Sequence, residues 1–126
     1  MTKLALPRNT TRQAESMLYG DVARRMHRAS GAIIILFVLV HVIVQAVRHV
    51  PIFASANAAA PWLQPLQEQN WIHAILSFAI VFHTLYGLKL LAGELGFRID
   101  YKMAFCAITT VSGLFALREV LRYAGI

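Results

Sequence analysis

Charged residues are scarce in this chain. Only 14% of its 126 residues are charged, whereas 58% are hydrophobic, and the mean hydropathy is +0.58. Soluble domains usually carry about 25% charged residues, so the composition excludes an ordinary soluble domain. Cysteine is also rare: Cys106 is the single one. An intrachain disulfide is therefore excluded, and cysteine usage does not indicate the redox compartment.

The residues that lack charge fall into three stretches. Residues 31–47 and 103–117 contain no charged residue, and residues 71–93 contain only Lys89. A helix needs about 20 mostly apolar residues to cross a hydrocarbon core of about 30 Å, and each stretch reaches that length with its flanks. We therefore predict an all-α membrane protein with a single domain, residues 1–126, and three transmembrane helices at approximately 27–48, 71–94 and 103–123.

A secretory signal is not expected, because residues 1–30 are polar and basic and contain no apolar core. We predict an irregular tail over residues 1–20 and a helix that begins near Asp21 and continues into the first span. Prolines at 51, 61 and 65 predict a loop between the first two spans, with a short surface helix. Gly96 is predicted to cap the C-terminus of the second span.

The basic residues predict the orientation in the membrane. Lys and Arg are enriched in cytoplasmic loops beside spans. Nine of the twelve lie in residues 1–30 and 88–102, on one side of the predicted membrane, and three lie on the other. The N-terminus is therefore predicted to lie in the cytoplasm (or the matrix). Because the basic residues flank spans, we interpret the net charge of +6 as attraction to membrane lipid or an acidic partner, not to nucleic acid.

Two histidines, His41 and His83, lie within predicted spans. An imidazole at membrane depth needs a partner, such as a metal, a hydrogen-bonding neighbour or a polar pathway. The two could be joined at one haem iron, or each could pair with a histidine of another subunit, and a structural hydrogen bond is the alternative for each. Gly87 follows His83 by one helical turn and lies on nearly the same face. A glycine there leaves room for a flat macrocycle, or equally for close helix packing.

A second candidate site lies at the start of the first span. Arg28 and Ser30 offer hydrogen-bond donors where the hydrocarbon begins, and His27 can exchange a proton near neutral pH. Such a group is suited to bind the carbonyl oxygens of a quinone and to deliver protons to it. The alternative is that these basic residues only determine topology.

These residues resemble a known family. The run His27-Arg28-Ala29-Ser30-Gly31 is similar to the His-Arg-x-Ser/Thr-Gly motif that opens the first span of the cytochrome b membrane anchor of succinate dehydrogenase. The run 82–89, Phe-His-Thr-Leu-Tyr-Gly-Leu-Lys, with the Glu94-Leu95-Gly96 that follows, resembles that family's second-span signature, in which the histidine ligates haem. Arg24 departs from the pattern, because many relatives have a quinone-contacting serine at this position.

The resemblance implies a specific role. His83 would be an axial ligand of haem b, with the opposite ligand supplied by a second membrane-anchor subunit, and Gly87 would make room for the haem. His27, Arg28 and Ser30 would contribute to the quinone site. His41 would correspond to the first-span histidine of family members that hold a second haem. An iron–sulfur subunit and a flavoprotein subunit would complete the enzyme, and this chain alone would have no catalytic activity.

We expect the protein in a bacterial or archaeal cell (inner) membrane. Three alternatives stay open at this point. One is a cytochrome b subunit of another quinone-linked dehydrogenase, including a fumarate reductase. The second is a transporter or channel subunit that uses His41 and His83 as a proton relay, although its spans lack the acidic residue that proton-coupled carriers usually need. The third is a haem-free structural anchor.

Overall fold

The fold consists of helices, three of which are long. The computed structural model describes residues 8–126, apart from the side chains of Arg8, Asn9 and Asn57. No strand occurs in this part of the chain. In chain order the elements are α1 (Arg8–His49), a 3₁₀ turn (Pro51–Phe53), α2 (Ala54–Ala59), α3 (Leu63–Gln67), α4 (Asn70–Glu94) and α5 (Tyr101–Tyr123).

The three long helices, α1, α4 and α5, are long and apolar enough to cross a membrane. This confirms the predicted all-helical class with three candidate spans. The bounds predicted for the second and third spans agree with α4 and α5 to within two residues. The loop predicted between the first two spans contains the 3₁₀ turn and the short helices α2 and α3.

The start of α1 differs from the prediction. Residues 8–20 are helical and continuous with the first span, so the expected irregular tail is wrong for them, and residues 1–7 lie outside the described residues. The segment is rich in good helix formers such as Gln13, Ala14 and Glu15. It also packs against α5, where the rings of Tyr19 and Phe105 have centroids 5.7 Å apart. Polarity alone was therefore a poor guide to its conformation.

The turn between α4 and α5 is defined by local hydrogen bonds. Gly96 has a positive φ of 93°, its N–H donates to the carbonyl of Gly93, and the N–H of Phe97 donates to that of Ala92. These two bonds form a Schellman motif, which confirms the predicted cap at Gly96. Asp100 then caps α5, because its side chain accepts a hydrogen bond from the N–H of Met103 at 3.2 Å.

The core lies where the three long helices meet. Its members come from all three helices, and Phe82 and Tyr86 of α4 are the largest, with exposed fractions of 0% and 1%. Small residues allow the helices to approach closely: a Cβ added to Gly20 would lie 3.2 Å from the Tyr101 ring. Most large apolar side chains face outward, as expected for a surface covered by lipid or a partner chain.

Candidate functional site

The imidazole of His83 points from the middle of α4 toward α1. Its Nδ1 lies 3.2 Å from the backbone carbonyl oxygen of His27 and 3.3 Å from Oγ of Ser30. The Ser30 hydroxyl itself donates to the same His27 carbonyl at 2.8 Å. These contacts connect the second-span histidine directly to the motif at residues 27–31.

The contacts of Nδ1 favour one tautomer of His83. A carbonyl oxygen can only accept, so Nδ1 makes a hydrogen bond with the His27 carbonyl, 3.2 Å away, only when it carries the proton. The proton of the Ser30 hydroxyl is already donated to that carbonyl. In this tautomer the lone pair of His83 is on Nε2, and no residue of the described chain makes a hydrogen bond to that atom.

Gly31 makes this arrangement possible. A Cβ added to Gly31 would lie 2.9 Å from Cε1 and 3.3 Å from Nδ1 of His83. The first distance is below ordinary contact, so any side chain at position 31 would displace the imidazole from its hydrogen bonds. No separate role was predicted for Gly31 from the sequence. Its place immediately after Ser30 in the motif was the only signal that could have identified it.

The ring of His27 covers one face of the His83 ring. The two centroids are 4.1 Å apart and the planes differ by 9°. Tyr86 borders the stack, with its centroid 5.2 Å from that of His27. Two polar atoms here, Nδ1 of His27 and the hydroxyl of Tyr86, are buried without a hydrogen-bond partner among residues 8–126. Such atoms indicate a place where water or another group completes the site.

Gly87 contacts this stack from the side of His27. A Cβ added there would lie 3.8 Å from Cε1 of His27, which is an ordinary contact distance. Helix packing within this chain therefore does not require glycine at position 87. The prediction that Gly87 makes room for a haem stays a prediction.

The three predicted quinone residues do not all share one environment. His27 and Ser30 contact His83, and Ser30 is 5% exposed. Arg28 is exposed and is turned by about 100° around α1 relative to His27. The structure therefore brings two members of the trio together, and leaves the guanidinium free to face lipid head groups, a ligand or a partner.

His41 is separate from this cluster. It is exposed, and its ring stacks on that of Phe37 with centroids 5.8 Å apart. His41 follows Gly31 by ten residues, about 15 Å along the helix, and Gly31 is at the level of His83. The structure does not bring His41 and His83 together at one iron. This geometry is compatible with the other alternative, in which His41 has a partner separate from that of His83.

The donor set suits an axial haem ligand. Histidines that bind metals usually donate their other ring N–H to a carbonyl or carboxylate, which fixes the ring and leaves one nitrogen for the metal. His83 has this arrangement, with Nδ1 engaged and Nε2 available. Within the described chain no group of three or more His, Cys, Asp or Glu residues is placed to hold a metal ion. Haem iron needs only one or two protein ligands, as in the His and Met/His sites of haem proteins.

Comparisons with known proteins do not add to this geometry. No protein-family model, no curated protein and no solved structure matches the chain.

Proposed function

We propose that this chain is the cytochrome b membrane-anchor subunit of a succinate:quinone oxidoreductase. The observation that carries the proposal is the hydrogen bond between Nδ1 of His83 and the carbonyl of His27, which leaves Nε2 for haem iron. The motif resemblance supplies the choice of enzyme. The proposal includes a bacterial or archaeal cell membrane, a cytoplasmic N-terminus, a second anchor subunit, and the iron–sulfur and flavoprotein subunits.

Each residue has a defined task in this proposal. His83 would hold the iron through Nε2, while the His27 carbonyl and Gly31 keep its ring in position. Haem b, when bound, supplies reversible one-electron storage. The unpartnered Nδ1 of His27 offers a polar atom to a nearby quinone. The Ser30 hydroxyl would donate to the quinone only by releasing the His27 carbonyl that now accepts its proton. Arg28 offers a guanidinium on the outward face, where a quinone head group held against a partner subunit would be reached.

The test compares His83→Leu with a matched control, His49→Gln, at the exposed end of α1. Complexes are purified through a tag on this chain, and the dithionite-reduced minus oxidised spectrum is recorded. We expect wild type and H49Q to show a b-type α-band, and H83L to lose it while flavin and iron–sulfur subunits still co-purify. An unchanged spectrum in H83L would remove His83 as a ligand.

Two other results would redirect the proposal. A b-type band without flavin or iron–sulfur subunits would favour the cytochrome b subunit of another quinone-linked dehydrogenase. A wild-type complex without haem would favour the haem-free alternatives, among them the transporter or channel subunit. The stacked His27 and His83 rings, with their unpartnered polar atom, would then be candidates for proton transfer.

A further inference from the structure

An open cavity of about 580 Å³ lies on the surface of α5, near the end of this helix. We call it the α5 surface groove. Three leucines and two arginines of α5 form most of its lining, and the rest comes from residues that follow the helix: Leu114, Leu117, Arg118, Leu121 and Arg122 are the five. The site around His83 is built by α1 and α4, so the groove is a separate feature of the molecule.

The two arginines of the groove are one helical turn apart. Residues four apart on a helix lie on the same face, with Cβ atoms about 5–6 Å from each other, so the side chains of Arg118 and Arg122 can reach one oxyanion together. Neither guanidinium forms an ion pair with a residue in the described range 8–126. Glu119, which follows Arg118, is half-buried and does not line the groove. The lining therefore carries two positive charges, and none of the described residues in it is acidic.

The end of α5 does not need these arginines as caps. Basic side chains near a helix C-terminus can bind its last carbonyl oxygens. Here the N–H of Ala124 donates to the carbonyl of Val120 at 3.1 Å, and the N–H of Ile126 donates to that of Leu121 at 3.2 Å. Because backbone groups already satisfy these carbonyls, the two guanidinium groups are available to an external anion.

The remaining part of the groove is apolar. Leu114 and Leu117 precede Arg118 and so lie deeper in the span, with exposed fractions of 60% and 50%. The groove thus combines two cations near the helix end with an apolar surface that extends toward the middle of the span. An inorganic anion would leave the leucines uncovered. An amphiphile with an anionic head and hydrocarbon chains would match both parts.

The groove lies at the level of lipid head groups. Arg118 is the first charged residue after the uncharged run 103–117, so it marks the end of the apolar part of α5. Close by, the hydroxyl of Tyr123 lies 3.1 Å from Nδ1 of His73, and the exposed Trp71 precedes this histidine by two residues. Tyrosine and tryptophan are enriched at the membrane–water interface. Phospholipid phosphates at this level are within reach of long arginine side chains.

We infer that Arg118 and Arg122 bind the phosphate of an anionic phospholipid, whose acyl chains lie on Leu114 and Leu117. Guanidinium groups bind phosphate oxygens through charge-assisted hydrogen bonds. A net anionic lipid is favoured over a zwitterionic one, because the second brings its own cation close to the arginines. The inference depends neither on the haem nor on the proposed enzyme.

The test titrates the protein, purified in nonionic detergent with any subunits that accompany it, and follows binding by calorimetry. The ligands are short-chain phosphatidylglycerol, short-chain phosphatidylcholine and glycerol phosphate, which has no acyl chains. The variant is R118Q/R122Q. The control is R12Q/R98Q, which removes the same charge from two exposed arginines at the other end of the bundle.

We expect phosphatidylglycerol to bind wild type and control with equal affinity. Its dissociation constant should rise about tenfold or more in R118Q/R122Q, because charge-assisted hydrogen bonds to the phosphate are lost. Phosphatidylcholine and glycerol phosphate should bind wild type more weakly than phosphatidylglycerol does, since one lacks the net charge and the other lacks the chains.

Equal affinity for phosphatidylcholine or for glycerol phosphate would overturn the assignment to an anionic lipid. Equal binding of phosphatidylglycerol by wild type and R118Q/R122Q, or no binding to wild type, would overturn the inference. Loss of a co-purifying membrane subunit from R118Q/R122Q, without lipid binding to wild type, would assign the groove to a partner protein instead. If the double variant loses helicity by circular dichroism, R118Q and R122Q are measured singly, and each must weaken binding on its own.

Discussion

Nδ1 of His83 and the backbone carbonyl oxygen of His27 are 3.2 Å apart across the interface between α4 and α1. A main-chain atom is the partner, so substitution of the His27 side chain would not by itself remove this acceptor. The contact depends instead on how closely the two helices approach. Gly31, which borders the imidazole, therefore helps to fix the orientation of His83, together with the stacked ring of His27 and the hydroxyl of Ser30.

Replacing Gly31 with alanine is expected to disturb the site without unfolding the chain. The new methyl group would lie 2.9 Å from Cε1 of His83, so the ring must move and its hydrogen bond lengthen. We expect the G31A complex to retain less haem than wild type and to show an altered α-band. The measurement is the pyridine haemochrome assay, normalised to protein.

Gly113 of α5 provides the matched control for this experiment. A Cβ added there meets no atom within 4 Å, so G113A makes the same chemical change in an open position. Its haem content should equal that of wild type. Equal haem content in G31A and G113A would contradict the role assigned to Gly31.

Changing Arg28 to glutamine is expected to separate two activities. The guanidinium of Arg28 is exposed and does not hold His83, and in the proposed function it would contact the quinone. We expect R28Q to reduce quinone more slowly, by about tenfold or more if a charge-assisted hydrogen bond is lost, while succinate oxidation with a soluble dye continues. The neighbouring R25Q, whose arginine pairs with Asp21, is the control. An equal loss of both activities would indicate failed assembly.

In the proposed function, His41→Leu is expected to leave the haem held by His83 intact. The two histidines are about 15 Å apart along the bundle by helical rise, and no contact joins them. A complex that holds two haems should lose one, and a complex that holds one should lose none. Haem quantification of H41L beside H83L checks this, and loss of all haem from H41L would be inconsistent with separate sites.

Lys89 and Tyr101 are expected to stabilise the packing of α4 on α5. The ammonium group lies 3.5 Å from the ring centroid, and such cation–π pairs contribute about 0.5–2 kcal/mol. A double-mutant cycle with K89M and Y101L, measured as the free energy of unfolding in mixed micelles, should give a coupling energy in that range. Additive effects, as expected for groups that do not interact, would show that the pair contributes nothing.

The sequence predicted the helices better than it predicted their contacts. Long apolar runs identify spans because a helix in lipid makes its backbone hydrogen bonds within its own segment. The signal for a span therefore lies in that segment alone. The cap at Gly96 was predictable for the same reason, since it depends on one residue with a positive φ. The helix over residues 8–20 was missed because its packing against Phe105 depends on a residue far away in the chain.

In the candidate site, too, the residues could be predicted from the sequence but their contacts could not. Sequence patterns selected His83, His27 and Ser30 individually, and the structure brings these three together. Their meeting depends on the vertical register and rotation of α1 against α4, which hydropathy does not encode. Arg28 belongs to the same motif and yet faces outward, because adjacent residues of a helix point in directions about 100° apart.

The unbroken course of α1 has a consequence for how this chain can vary. Tyr19 on its first half packs against Phe105 of α5, and Gly31 on its second half faces His83. One residue inserted between Arg24 and His27 would rotate these halves by about 100° relative to each other. The contact of Tyr19 with Phe105 and the contact of Gly31 with His83 could not then both be retained. Insertions should be tolerated in the loop after His49, because the rotation of one helical segment relative to another does not have to be kept there.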